Sequence, residues 1–180
     1  MRRDWRRAPH PTTPRRGGQA AEFLAAGGVT GMRAQPSSTV DAVRKRGGVV
    51  VATGGCFDVL HPGHVRMLAA ARALGDCLVV CLNSDQSVRR LKGEHRPVNG
   101  QAERIEVLKA LASVDDVVVF SEDTPEQVLG RLRPDIWVKG GDYTAELLPE
   151  TAVVRRWGGR TVVVPYHRGH STTEILSRRA

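Results

Sequence analysis

Two kinds of apolar pattern alternate along the chain from Gly48 onward. Short blocks that are apolar at nearly every position read as buried strands: GVVVATG (48–54), CLVVCLN (77–83), VVVF (117–120), IWVKG (136–140) and TVVVP (161–165). Between them lie stretches with apolar residues at helical spacing. Pro62 to Leu74 predicts a helix with Val65, Leu68, Ala69 and Arg72 on one side and Gly75 as its stop. QAERIEVLKALASV (101–114) predicts an amphipathic helix facing inward through Ile105, Leu108, Leu111 and Ala112. TPEQVLGRL (124–132) has a strong helical start, with Thr124 as cap, Pro125 at the first position and Gln127 at the third. Residues 149–157 predict another helix, and the last is predicted to begin near Ser171. A short helix over 38–46 precedes the first strand, with Ser38 or Thr39 as cap and Arg44, Lys45 and Arg46 at its carboxyl end. Strands that are apolar throughout and alternate with helices imply an α/β three-layer sandwich, a five-stranded parallel sheet covered on both faces.

Ligands of such sheets bind beyond the carboxyl ends of the strands, so the segments after each strand are where chemistry belongs. The first strand runs into TGGCFDVLHPGH (53–64). Thr53, Gly54 and Gly55 let the backbone come close to a bound group. With Pro62 as first helical residue, His61 falls at the cap and His64 three places later, both at the positive end of the helix dipole, where phosphate binds readily. A single histidine at a helix start is more often an ordinary cap; the H-P-G-H spacing after a Gly-rich strand end is what shifts the reading towards a site. Zinc is the weaker reading, because no third ligand lies near the pair. The second strand leads into NSDQSVRRLKGEHRPVN (83–99), which reads as a long polar connection carrying Arg89, Arg90, Lys92 and Arg96. The fourth ends in KGGDYT (139–144), where Lys139 projects from the strand end, Gly140 and Gly141 permit a tight turn, and Asp142 suits a ribose hydroxyl or a metal-bound water. After the fifth comes YHRGHSTTEIL (166–176). Ser171 to Glu174 fits a capping box, and the same helix start offers N–H groups and two threonine hydroxyls to a phosphate, with Arg168 just upstream.

Charge changes the picture only at the amino terminus. The formal net charge is +8, but residues 1–46 carry ten Lys/Arg against three Asp/Glu, and residues 47–180 seventeen against sixteen. The basic character belongs to the leading segment, which argues against a nucleic-acid partner for the domain itself. Residues 1–37 read as a disordered basic extension and residues 38–180 as the domain; an organelle transit peptide, or a true start at Met32, are the other readings of that extension. Cys56, Cys77 and Cys81 form no C-x-x-C pair and read as thiols in a reducing cytoplasm. No apolar run approaches the ~20 residues of a membrane span. A dinucleotide-dependent oxidoreductase would need G-x-G-x-x-G after the first strand, which TGGCFD does not supply.

GCFDVLHPGH and HSTTEIL together resemble the marker blocks of the cytidylyltransferase-like nucleotidyltransferases, and the stretch from about 47 to 177 is similar to the adenylyltransferase part of the bifunctional heptose kinase/adenylyltransferases. That resemblance implies a Rossmann-like nucleotidyltransferase fold. It also implies transfer of AMP from ATP to D-glycero-β-D-manno-heptose 1-phosphate, with Mg²⁺ accompanying the ATP and a cytoplasmic homodimer as the working form. Carried onto this sequence, it implies nucleotide contacts from Thr53, Gly54, Gly55, Cys56, Phe57, His61, His64, Lys139, Gly140, Asp142, Ser171, Thr172 and Thr173. His61 and His64 would serve the α-phosphate, Lys92 the phosphates, Arg168 the β- and γ-phosphates, and Asp58, Lys92 and Arg96 the acceptor. No protein-held metal is implied. A sister enzyme using CTP and glycerol 3-phosphate would keep the same two blocks; KGGDY and RPVN favour the heptose branch.

Overall fold

The computed structural model describes residues 38–141, 144–165 and 175, all within one compact unit spanning 33–180. The predicted extension over 1–37 lies outside the described residues. Five strands, β1 (Val50–Gly55), β2 (Cys77–Asn83), β3 (Asp116–Phe120), β4 (Ile136–Gly140) and β5 (Arg160–Val164), pair in parallel in the order β3-β2-β1-β4-β5. The order reverses between β1 and β4, and this is the switch point at which an open α/β sheet leaves a crevice. Every residue of β2 is buried, as expected of a strand covered on both faces.

Among the described residues, six α-helices cover the sheet: α1 (Ser38–Lys45), α2 (Pro62–Arg72), α3 (Asp85–Lys92), α4 (Gln101–Lys109), α5 (Glu126–Leu132) and α6 (Pro149–Arg155). One face packs α1, α5 and α6 through Val40, Val43, Val128, Leu129, Val153 and Val154 against Val50, Cys77, Cys81 and Trp137. The other packs α2 and α4 through Leu68, Ala71 and Leu108 against Val51, Leu78, Val80 and Val138. The chain ahead of β1 is tied in by Arg44, whose guanidinium donates to the carbonyls of Leu132 and Arg133 at the end of α5. Cys77 and Cys81 share the first of these clusters, as their spacing in a strand predicts, and burial pushes the Cys81 thiol up to about 12.

Several elements differ from the sequence expectation. β1 begins at Val50 and includes Gly55. The buried face of α2 is Leu68 and Ala71, while Val65 is 40% exposed. α4 stops at Lys109, and its inward residues are Leu108 and Arg104. α5 starts at Glu126 with Pro125 in the cap position and no side-chain cap, so Thr124 does not open the helix. The largest difference is α3, which occupies the first half of the stretch expected to be a loop. Ser84 caps it, its hydroxyl accepting from the Ser87 N–H at 3.2 Å, and Val88 is its one buried aliphatic side chain.

Candidate active site

The site is built where β1 and β4 end. Thr53 is buried, and its hydroxyl donates to the Val138 carbonyl at 2.8 Å, fixing β1 against β4 in register. Gly54 and Gly55 follow. A Cβ on Gly54 would stand 2.7 Å from Cη2 of Trp137, and one on Gly55 3.2 Å from the Phe57 ring. The two glycines therefore let the Trp137 and Phe57 rings close against the strand end. Phe57 then turns the chain with φ at 44°, uncommon for a bulky residue, and its buried ring lies against His64 with centroids 5.2 Å apart.

α2 starts as its sequence predicts. His61 adopts an extended cap conformation, Pro62 is the first helical residue, and His61 Nδ1 accepts from the His64 N–H at 3.4 Å. The two imidazoles stack with centroids 3.7 Å apart. His61 is only 6% exposed, more deeply set than a residue at the mouth of a site. Burial, and secondarily the charge His61 would bring, push the His64 pKa down to about 4. His64 is therefore neutral at pH 7 in the unliganded protein, and its buried Nδ1 has no hydrogen-bond partner among the described residues. Desolvation and a cationic neighbour both disfavour the imidazolium; an incoming phosphate reverses the second influence.

Two cavities meet at Gly54, Gly55 and Lys139. One is lined by His61, His64, Phe57, Cys56, Met67 and Gly140 on the α2 side. The other lies on the opposite sheet face, lined by Trp137, Asn83, Asp123, Thr124, Glu126 and Glu150. Lys139 reaches both, with its Nζ on Glu150 Oε1 at 2.8 Å and 5.9 Å above the Trp137 ring. The indole N–H of the fully buried Trp137 has no partner among the described residues.

Asp58 and Arg96 come together, but for the loop between α3 and α4. Asp58 is 3% exposed, and each of its carboxylate oxygens already accepts: Oδ2 from Arg96 Nε at 2.5 Å, Oδ1 from the Val98 and Asn99 N–H groups at 2.7 and 3.0 Å. The Arg96–Pro97 bond in this loop is cis. Lys92 is exposed at the end of α3 and lines neither cavity. Its charge nevertheless reaches Cys56: burial raises that thiol's pKa, and Lys92, Arg104 and Arg96 partly offset the rise. These three cations thus rim the start of the β1–α2 loop. Asp142, Arg168, Ser171, Thr172 and Thr173 lie outside the described residues.

The organising residue that the sequence pattern does not single out is Arg104. It is 2% exposed on α4, and its guanidinium donates to the carbonyls of Cys56 (2.6 Å) and Asn83 (2.9 Å) and to the Asp85 carboxylate (2.8 Å). One side chain thereby joins the ends of β1 and β2 and the start of α3. In an amphipathic pattern an arginine reads as solvent-facing; only the convergence of strand-end carbonyls in three dimensions reveals it.

This is a doubly wound α/β protein with a stacked histidine pair at its switch point. The chain belongs to the cytidylyltransferase-like family, whose model matches residues 52–177. It is 54% identical over 177 residues to the bifunctional protein HldE of Streptomyces coelicolor, an alignment covering 91% of this chain and 38% of that protein. To the bifunctional protein HldE of Nitrosococcus oceani it is 52% identical over 137 residues, 76% of this chain and 29% of the other. Among solved structures it is similar to a lipopolysaccharide core biosynthesis protein from Thermoplasma volcanium, with a TM-score of 0.57 and 26% identity over 68% of this chain and 99% of that one. The chain spans less than two-fifths of the length of these curated relatives.

Proposed function

We propose that this chain transfers AMP from ATP to D-glycero-β-D-manno-heptose 1-phosphate, forming ADP-D-glycero-β-D-manno-heptose and pyrophosphate. The observation that carries the reading is the pair of cavities meeting at Gly54, Gly55 and Lys139 on opposite faces of the sheet. In-line displacement at the α-phosphorus needs the attacking and leaving oxygens on opposite sides, and this arrangement offers a place for each reactant. The likeness to two HldE proteins supports the heptose branch over a CTP-dependent sister enzyme.

An oxygen of the acceptor's phosphate attacks the α-phosphorus of ATP, the bond from that phosphorus to the bridging oxygen breaks, and pyrophosphate leaves. A phosphate monoester has a second pKa near ~6 and is mostly dianionic at neutral pH, so the attack requires no general base. The protein's part is to bring anions together and meet the charge that develops. The His61 and His64 imidazoles serve the α-phosphate. A neutral His64 still donates one N–H, and a phosphate beside it favours the second proton. Lys139 supplies a fixed cation at the junction, and Lys92 and Arg96 are assigned to the acceptor. Arg168 and the Ser171–Thr173 segment are assigned to the β- and γ-phosphates. The carboxylates of Asp123 and Glu126, which line the second cavity, suit a polyol, whose hydroxyls can donate to them.

Among the described residues no group of three His, Cys, Asp or Glu is placed to hold a metal ion. Mg²⁺ would accompany ATP, held by the triphosphate oxygens, and would offset their charge. No described helix is long and apolar enough to cross a membrane. A homodimer is the proposed working form, and the three free thiols fit a reducing cytoplasm. Phosphorus NMR of the protein with ATP, Mg²⁺ and the heptose 1-phosphate tests the reaction. Equal amounts of pyrophosphate and a new sugar diphosphate are expected; release of inorganic phosphate, or no turnover, contradicts it.

A further inference from the structure

Lys139 touches both cavities, so what fixes its ammonium matters to both. Its side chain is 30% exposed, and the carboxylate that holds it, Glu150, is 8% exposed. Exposed ion pairs fix little, but a carboxylate this deeply buried needs its cation, and the cation is held in return. The helix that carries Glu150 is anchored beside it. The next residue, Thr151, joins α6 through its hydroxyl to the Ala145 carbonyl at 2.5 Å and to the Thr161 hydroxyl of β5 at 2.9 Å. A lysine on a four-carbon stem would otherwise sample many rotamers. An ammonium has three donors, and Glu150 takes one, leaving two for the crevice.

We propose that Glu150 is a positioning residue that acts through Lys139, holding the ammonium where the acceptor's phosphate meets the nucleotide. The proposal rests on the adenylyl-transfer reading for what occupies the crevice. Glu150 lines the second cavity beside Lys139, and its role there is to hold the ammonium.

The test is a mutant cycle on the full chain. ATP affinity is measured by titration calorimetry, and turnover by pyrophosphate release, for the wild type, Glu150→Gln, Glu150→Asp, Lys139→Met and the double variant Glu150→Gln/Lys139→Met. Glu150→Gln keeps the shape and loses the charge. It is expected to weaken ATP binding severalfold and lower kcat about tenfold. Glu150→Asp keeps the charge at the cost of one methylene and should recover most of that loss. The double variant should be no worse than Lys139→Met alone, because Glu150 works only through the lysine. It also removes both members of the pair, so it stays informative where the single lysine variant, with its orphaned buried carboxylate, fails to fold. Glu150→Gln with wild-type affinity and turnover overturns the proposal, as do additive losses or a Gln variant better than the Asp one. A wild type that binds ATP but releases no pyrophosphate with any acceptor sinks the adenylyl-transfer reading, while the affinity cycle still decides the role of Glu150.

Discussion

Replacing Arg104 by Met removes a guanidinium shared by three segments and substitutes an apolar chain of comparable length. Its cost follows from the groups left behind. Breaking a buried ion pair typically costs about 3–5 kcal/mol, but Asp85 is 32% exposed and regains water, so most of that penalty is not incurred. The carbonyls of Cys56 and Asn83 each lose a charged donor. An unsatisfied buried acceptor costs about 1–3 kcal/mol, and the half-buried Cys56 carbonyl recovers part of this from solvent. The balance is a destabilisation of about 2–4 kcal/mol, a large share of the ~5–15 kcal/mol typical of a folded domain. At roughly 2–4 °C per kcal/mol for a chain of this size, the Tm should fall by about 5–15 °C. Arg104→Lys keeps the charge without the fork and should lose about half as much. Differential scanning calorimetry gives the midpoints. A pyrophosphate-release assay below the transition should show kcat falling more than KM for ATP rises, since Arg104 lines neither cavity but anchors the loop that bears the histidines. An Arg104→Met midpoint within about 2 °C of wild type would refute the view that this side chain holds the strand ends together.

The remaining predictions concern the crevice directly. His61→Ala and His64→Ala should each lower kcat by ~10²–10³-fold, the usual loss for one preorganised donor to developing charge, as read by pyrophosphate release; His61→Ala should also cost about 0.5–2 kcal/mol of stability, because the imidazole caps α2. The unliganded His64 pKa of about 4 lies below the usual 6.5, and a bound phosphate raises it, so ATP binding near pH 5.5 should take up protons. Calorimetric titrations in two buffers of different ionisation enthalpy detect this, and uptake that persists unchanged in His64→Ala contradicts the assignment. Gly54→Ala places a methyl 2.7 Å from the Trp137 ring and should cost about 1–3 kcal/mol by overpacking while narrowing both cavities; normal stability and turnover would show that the close approach is not needed.

The frame of the fold was legible because its signals are local. β2 and β4 fall where their apolar blocks end, and α2 starts at Pro62 because proline and the preceding histidine satisfy a helix start by themselves. The histidine pair was legible for the same reason. α3 was not: with Val88 its one buried aliphatic residue, it carries no apolar stripe, and it exists because Ser84 caps it and Arg104 holds Asp85. The inward face of α2 was legible only at Leu68: Val65 and Ala69 fit the helical spacing as well as Ala71 does, and only the sheet decides which are covered. Arg104 and Glu150 were not legible because their roles come from partners on other elements of the fold. Asp58 drew attention as part of a marker block, but its oxygens are committed to Arg96, Val98 and Asn99, a closure that no spacing rule describes.

The most direct measurement is the ratio of kcat/KM for ATP with D-glycero-β-D-manno-heptose 1-phosphate to that for CTP with glycerol 3-phosphate, each followed by pyrophosphate release from the same preparation. The account predicts a ratio well above about 100, the discrimination that ~2.7 kcal/mol of differential transition-state stabilisation supplies. A ratio below one contradicts it and assigns the crevice to the CTP-dependent sister reaction.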